Sequence, residues 1–210
     1  RHLAAAVPYF PAETAFVVVV DPGVGSARRA LAVRAGGSWF VGPDNGVLTP
    51  ALAADATVVE ITEPRYMRDV VSATFEGRDR FAPAAAWLLR GVPLEALGPR
   101  VADPIRLEPP RATVADGVLH GVLVAADRFG NVATSLDRAS LDAFAGGAAV
   151  RLTLGGEPLR LVVTYAEIAD GEVAALFGSA GLLEVAARSA PALGRPGVHP
   201  GAPVTIVLQD

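Results

Sequence analysis

The stretch TFEGRDRFAPAAAWLL, residues 74–89, places Glu76, Arg78, Asp79 and Arg80 within five positions of an otherwise apolar run. Carboxylates beside guanidiniums can accept a proton and fix the orientation of a charged partner, so the cluster reads as one wall of an active site or as a charged loop capping the next helix. A second stretch, DPGVGSARR (residues 21–29), leaves an apolar run through a glycine-rich turn, the place where open α/β sheets put ligands. It is not a dinucleotide fingerprint. Gly23 and Gly25 lack a third glycine, whose position Arg28 occupies, and no Gly-Lys-Ser/Thr follows as a phosphate-binding loop needs. The alternative for this stretch is a tight turn with a solvated arginine pair. A third, DRFGNVATS (residues 127–135), sets Asp127, Phe129 and Asn131 close enough to hold an ammonium group, stack a base and read its hydrogen-bonding edge. Alone, it reads first as a β-turn using Asp, Gly and Asn for their turn chemistry. FGSAGLLEVAA (residues 177–187) is equally compatible with a strand, a glycine turn and a second strand.

The elements that carry these groups follow from hydrophobic patterning. AFVVVVD (residues 15–21) is a continuous β-branched run, expected as a central parallel strand buried on both faces and ending at Pro22-Gly23. RALAVRA and SWFVG are expected strands around Gly36-Gly37, PDNG (residues 43–46) a turn, VLTPALAADA a helix and TVVEI a strand. FAPAAAWLLRG predicts a helix with Pro83 in its first turn and Gly91 closing it, which puts the charged cluster on the loop entering that helix. Residues 1–108 are therefore expected as an α/β domain, a mixed or parallel sheet with helices. Pro104, Pro109 and Pro110 mark a boundary near Pro109. Residues 109–210 then hold short strands between turns, expected as a small β-rich, barrel-like domain with one short helix around Leu141 to Phe144. The opening HLAAAVPYF reads as the end of a helix docking on a sheet, so further chain is expected upstream of Arg1.

Composition narrows the chemistry. With 210 residues, 51% hydrophobic and 19% charged, the chain can bury a large core. A net charge of -4 without a basic run lacks the electrostatic footprint of nucleic-acid binding, and the expected partner is a small molecule. There are no cysteines, and His2, His120 and His199 are scattered, so neither a disulfide framework nor a metal centre is expected. Apolar runs such as residues 15–20 are far shorter than the roughly 20 residues a bilayer span requires. A soluble, cytoplasmic protein with no membrane partner is the expectation.

In order and separation, VVVVDPGVGSARR, VGPDNG, SATFEGRDRFAPAAA, DRFGNVATS and GSAGLLEVA resemble the S-adenosylmethionine hydroxide adenosyltransferases, relatives of the fluorinase and chlorinase enzymes. The resemblance covers nearly the whole chain. It implies an α/β domain followed by a β-barrel-like domain, and homotrimers whose active sites lie between one subunit's N-terminal domain and its neighbour's C-terminal domain. It implies attack of water at ribose C5′ of S-adenosylmethionine, the substrate, releasing adenosine and L-methionine with no cofactor. Asp21 and Arg28 match two members of an Asp-Arg-His set that handles the water. Phe75 and Gly77 match the wall beside the reacting carbon, Asp127 and Ser179 the residues holding the methionine end, and Phe129, Asn131 and Tyr165 the adenine pocket.

Two departures carry expectations of their own. Where the family reads TFHGRD, this chain has Glu76 in the histidine position. The family's first strand and ribose-binding aspartate are expected before Arg1, either missing from a fragment or lost. Water, with a pKa of about 15.7, must be placed in line with the C5′–S bond and must give up a proton. Asp21 is the candidate acceptor, oriented by Arg28, whose charge also weakens it as a base. Glu76 offsets this by sharing Arg28 or a proton with Asp21. Two carboxylates beside C5′ would repel a halide, which favours water, yet an extra anion near the sulfonium costs rate. The rival readings are an adenosine-binding module that has lost catalysis and, further off, a halogenase.

Overall fold

The computed structural model describes residues 2–209, and the chain divides into two compact units, Arg1–Glu108 and Pro109–Asp210. The first begins with helix α1 (His2–Ala6) and holds strands β1 (Ala15–Val17), β2 (Ala30–Ala35), β3 (Ser38–Pro43) and β4 (Thr57–Glu60), followed by helix α2 (Ala82–Leu89). The sheet is mixed, in the order β1-β3-β2-β4. The β2/β3 hairpin turns at Gly36-Gly37, β4 joins β2 antiparallel, and β1 lies parallel to β3.

Side-chain alternation along β2 explains why both faces of this sheet are covered. Ala30 and Ala32 face the layer of Phe81, Ala84, Ala85 and Leu88, while Leu31, Val33 and Ala35 face Phe40, Leu48, Ala51 and Leu52. Leu3 and Val7 pack on that second layer, as expected of a helix docking on a sheet. The strand buried on both faces is thus β2, not the valine run. β1 is a three-residue edge strand, and Val17, Val19 and Val20 are exposed, because only β3 pairs with it among the described residues. The expected helix at VLTPALAADA is also corrected: a single 3₁₀ turn, Thr49–Ala51, forms instead. Pro50 has no N–H to donate, and the Thr49 hydroxyl bonds back to the Gly46 carbonyl at 2.7 Å, which favours a turn over a continuing helix. A third correction concerns the charged cluster. Gly77–Phe81 is not an open loop but a wide π-helical turn running directly into α2, a feature that recurs at functional sites.

The second unit holds β5 (Thr113–Ala115), β6 (Val118–Ala126), β7 (Val132–Asp137), α3 (Arg138–Ala145), β8 (Val150–Leu154), β9 (Glu157–Pro158), β10 (Val173–Phe177), β11 (Leu182–Ala187) and β12 (Pro203–Leu208). They form one antiparallel sheet in the order β10-β11-β7-β6-β12-β8-β9, with β5 added beside β6. Irregular register along β6 and β11 bends the sheet. The chain after β9 then pairs with β10, Val162 N–H donating to the Ala175 carbonyl at 2.8 Å and Ala175 N–H to the Arg160 carbonyl at 2.8 Å, so the sheet curls toward a barrel. Its interior is filled by Leu119, Leu123, Val132, Leu136, Leu183 and Ile206. Helix α3 starts where the Asp137 side chain accepts from Ser140 N–H at 2.7 Å and ends at Gly146. Among the described residues no helix is long and apolar enough to cross a membrane.

Candidate active site

The valine run delivers Asp21 to the end of the sheet. Val18 N–H continues the ladder to the Val41 carbonyl at 2.8 Å, and the Asn45 amide holds the Val20 carbonyl at 2.8 Å. Residues 21–28 then fold back on themselves, with Ser26 bonded to the Gly23 carbonyl through both its N–H and its hydroxyl. At Gly25 φ is +79°, and a Cβ there would stand 2.6 Å from the Ala73 carbonyl oxygen. Only glycine permits this approach, which lays the turn against the segment leading into Glu76.

The result is a buried three-residue ion cluster. Arg28 donates from Nε to Asp21 Oδ1 at 2.6 Å and from Nη2 to Asp21 Oδ2, a bidentate pair, and the same Nη2 reaches Glu76 Oε2 at 2.7 Å. The side chains of Arg28, Asp21 and Glu76 are 8%, 5% and 9% exposed. The Arg28 guanidinium also lies 5.5 Å from the centre of the fully buried Phe81 ring. Burial opposes the Arg28 charge, but its hydrogen bonds to Asp21 and Glu76 outweigh this and raise it further above its already high ordinary value. Asp21 and Glu76 thus face one permanent cation, each holding it through a direct hydrogen bond.

The neighbouring charges have different tasks. Asp79 is fully buried and accepts from Arg78 Nε at 2.6 Å, Arg78 Nη2 at 2.9 Å, Arg68 Nη1 at 3.2 Å and the Ser72 N–H at 2.9 Å. The Arg78 bonds first, and the Ser72 N–H second, hold its carboxyl well below the usual range; it pins the segment before Glu76. Arg29 turns away from Arg28 to bind Asp44 at 2.7 Å and Asp103 at 2.7 Å, fixing the PDNG turn. Arg80 alone of the remaining cluster points to Glu76, with Nη2 3.7 Å from Oε1. Phe75 is half exposed under the Arg78 guanidinium, and Gly77 opens the wide turn against Val19, whose Cγ1 lies 3.4 Å from where a Cβ would stand. Both flank Glu76.

In the second unit Asp127, Phe129, Asn131 and Tyr165 line one cleft of about 730 Å³ together with Arg188, Ser189 and Pro191. Asp127 builds the loop as well as lining the cleft: Oδ1 accepts from the N–H groups of Phe129 at 2.8 Å and Asn131 at 2.9 Å, and Oδ2 from the Asn131 amide at 3.1 Å. These bonds form the turn that the sequence reading of this stretch expected. Phe129 is 63% exposed, with the Arg128 guanidinium 4.6 Å from its ring centre. The Tyr165 hydroxyl donates to Glu184 Oε2 at 3.2 Å, and burial, then the Glu184 charge, raise its pKa. Ser179 lies on the turn joining β10 to β11 and is not part of the cleft wall. Sequence reasoning missed Arg188, Ser189 and Pro191; the φ of +52° at Ser189 marks a built turn there that no glycine announces. Among the described residues no three acidic or histidine side chains converge as a metal site.

Comparison with known proteins adds to this geometry. Residues 1–98 match the model of the SAM hydroxide adenosyltransferase N-terminal domain and residues 121–205 that of the C-terminal domain. A Thermus thermophilus protein named (R)-S-adenosyl-L-methionine hydrolase is 40% identical over 96% of this chain and 79% of its own. A Salinispora tropica protein of the same name is 42% identical over 95% of this chain and 76% of its own. The crystal structure of an uncharacterized conserved protein from Thermotoga maritima superimposes with a TM-score of 0.80 at 32% identity, covering 98% of this chain and 81% of that one. The motifs, the two matched domains and these identities agree: the chain belongs to the SAM hydroxide adenosyltransferase family.

Proposed function

We infer that the protein hydrolyses S-adenosyl-L-methionine, water attacking ribose C5′ to release adenosine and L-methionine. The observation that carries this reading is the buried Asp21–Arg28–Glu76 cluster in a chain 40–42% identical to proteins named as hydrolases of that substrate. The water oxygen bonds to C5′ as the C5′–S bond breaks. The bond's electron pair passes to sulfur, the sulfonium becomes the neutral thioether of methionine, and the water proton passes to the Asp21–Glu76 pair and then to solvent. Arg28 keeps the two carboxylates from repelling each other and holds their lone pairs in place. Asp21 and Glu76 present carboxylate oxygens, which accept hydrogen bonds from water and repel a halide at close range.

Phe75 and Gly77, next to Glu76 in the chain, shape the wall beside the reacting carbon. The cleft residues Phe129, Asn131 and Tyr165 suit an adenine, offering a ring face, an amide and a hydroxyl, while Asp127 and Ser179 are assigned to the methionine end. The reading includes no cofactor, a cytoplasmic setting and a homotrimer in which the first unit of one copy and the second unit of a neighbour share each site. It is tested by incubating purified protein with S-adenosylmethionine, with and without chloride or fluoride, and following products by mass spectrometry. Adenosine and methionine in equal amounts, independent of halide, are expected. A halogenated nucleoside would replace this reading with a halogenase, and saturable adenosine binding without product would replace it with a binding module.

A further inference from the structure

Asp21 and Glu76 bring two negative charges into a nearly dry site, and Arg28 brings one positive charge. Arg28 is already committed through two nitrogens to Asp21, and Glu76 receives only a share of Nη2 through Oε2. The other oxygen, Oε1, faces Arg80, four positions later on the wide turn, at 3.7 Å. The Arg80 side chain is 26% exposed, and its Nε is buried with no partner among the described residues. An arginine on a solvated helix face keeps its N–H groups in water. Arg80 gives up part of that hydration, and the nearest charge gained in return is the Glu76 carboxylate.

We propose that Arg80 is a positioning residue for the reaction: it supplies the second cation of the cluster and so holds the Glu76 carboxylate aimed at Arg28, an inference that rests on the hydrolase reading above. The charged groups around the pair are few enough to name. Glu76 faces Arg28 and Arg80, with Asp21 reached through Arg28. Arg80 lines a cleft with Glu60, Arg68 and Asp69, and Arg68 is held by Asp79. Without Arg80 the Glu76 carboxylate keeps a shared partner in a low-dielectric site, and its protonated form gains ground. A carboxyl that has taken up a proton cannot accept one from water, so loss of the second cation lowers turnover.

The test uses the full chain and the variants Arg80→Met, Arg80→Lys, Glu76→Gln and the double variant Glu76→Gln with Arg80→Met, each checked for native circular dichroism. With Arg80→Met, kcat near neutral pH is expected to fall about tenfold while KM moves less than about twofold. The acid limb of the kcat profile is expected to rise by about one pH unit. Lysine restores most of both. On the Glu76→Gln background the methionine substitution adds no further loss, since no charge remains to neutralise. Equal losses in both backgrounds with an unmoved acid limb would overturn the proposal and leave Arg80 a packing residue. Should the native protein form no adenosine, the hydrolase reading fails on its own, and the Glu76 carboxyl titration by NMR in native and Arg80→Met protein decides about Arg80. A higher Glu76 pKa in the variant supports the proposal, and an unchanged one contradicts it.

Discussion

Glu76 Oε2 accepts a hydrogen bond from Arg28 Nη2 at 2.7 Å across 48 positions of sequence, and that bond joins the glycine-rich turn to the wide turn of α2. It gives the histidine-to-glutamate departure a physical meaning. The carboxylate is built into an ion cluster instead of lying loose beside the reacting carbon.

Glu76→Gln keeps the shape of the side chain and removes both its charge and its capacity to share a proton. Turnover of S-adenosylmethionine is expected to fall by about 10²-fold, within the range of a lost acid–base group, with little change in KM. Glu76→His supplies a neutral base without the extra anion and is expected to exceed the native rate. Steady-state kinetics on the two variants check this; equal rates for glutamine and native protein would remove Glu76 from the reaction.

Gly25→Ala strains the chain twice, through φ of +79° and through a Cβ placed 2.6 Å from the Ala73 carbonyl. A loss of about 2 kcal/mol is expected from urea unfolding, along with reduced activity as the Asp21–Arg28 turn moves off Glu76. A midpoint indistinguishable from the native one would mean that the close approach is not needed.

Acid stability has an identified contributor away from the site. The Arg160 guanidinium, at 2.8 Å from both Glu172 oxygens, and then the Ala169 N–H lower the Glu172 pKa to about 2 from an ordinary 4.5. A carboxyl depressed in the folded state stabilises fully above its unfolded value, and that contribution disappears as pH falls from 4.5 toward 2. Glu172→Gln is expected to lower the urea midpoint at pH 6, with the gap to native protein closing near pH 2. A gap that persists in acid would assign the loss to packing instead of charge.

How much of this was legible in the sequence depends on how local the determinant is. The Gly36-Gly37 hairpin, the helix opened by Pro83 and the Asp127–Asn131 turn are set by neighbouring residues, and each forms where patterning put it. The valine run was misplaced because a continuous β-branched stretch does not say how many neighbours will pair with it; among the described residues β1 has one. The helix expected around Pro50 failed because composition favoured it while the Thr49 hydroxyl bond did not. The meeting of Asp21 and Arg28 with Glu76 follows from a tertiary approach at Gly25, which no local pattern encodes. The separate tasks of Arg78 and Arg80, two positions apart, depend on which way each leaves a π-helical turn, and reading the cluster as a loop does not supply that.

The most direct test of the account is the fate of the oxygen. Purified protein incubated with S-adenosylmethionine in water enriched in the heavy oxygen isotope is expected to yield adenosine carrying that isotope at C5′, together with unlabelled L-methionine and no dependence on halide. Adenosine without the label, or product only when chloride or fluoride is added, would contradict attack by water at the Asp21–Arg28–Glu76 cluster.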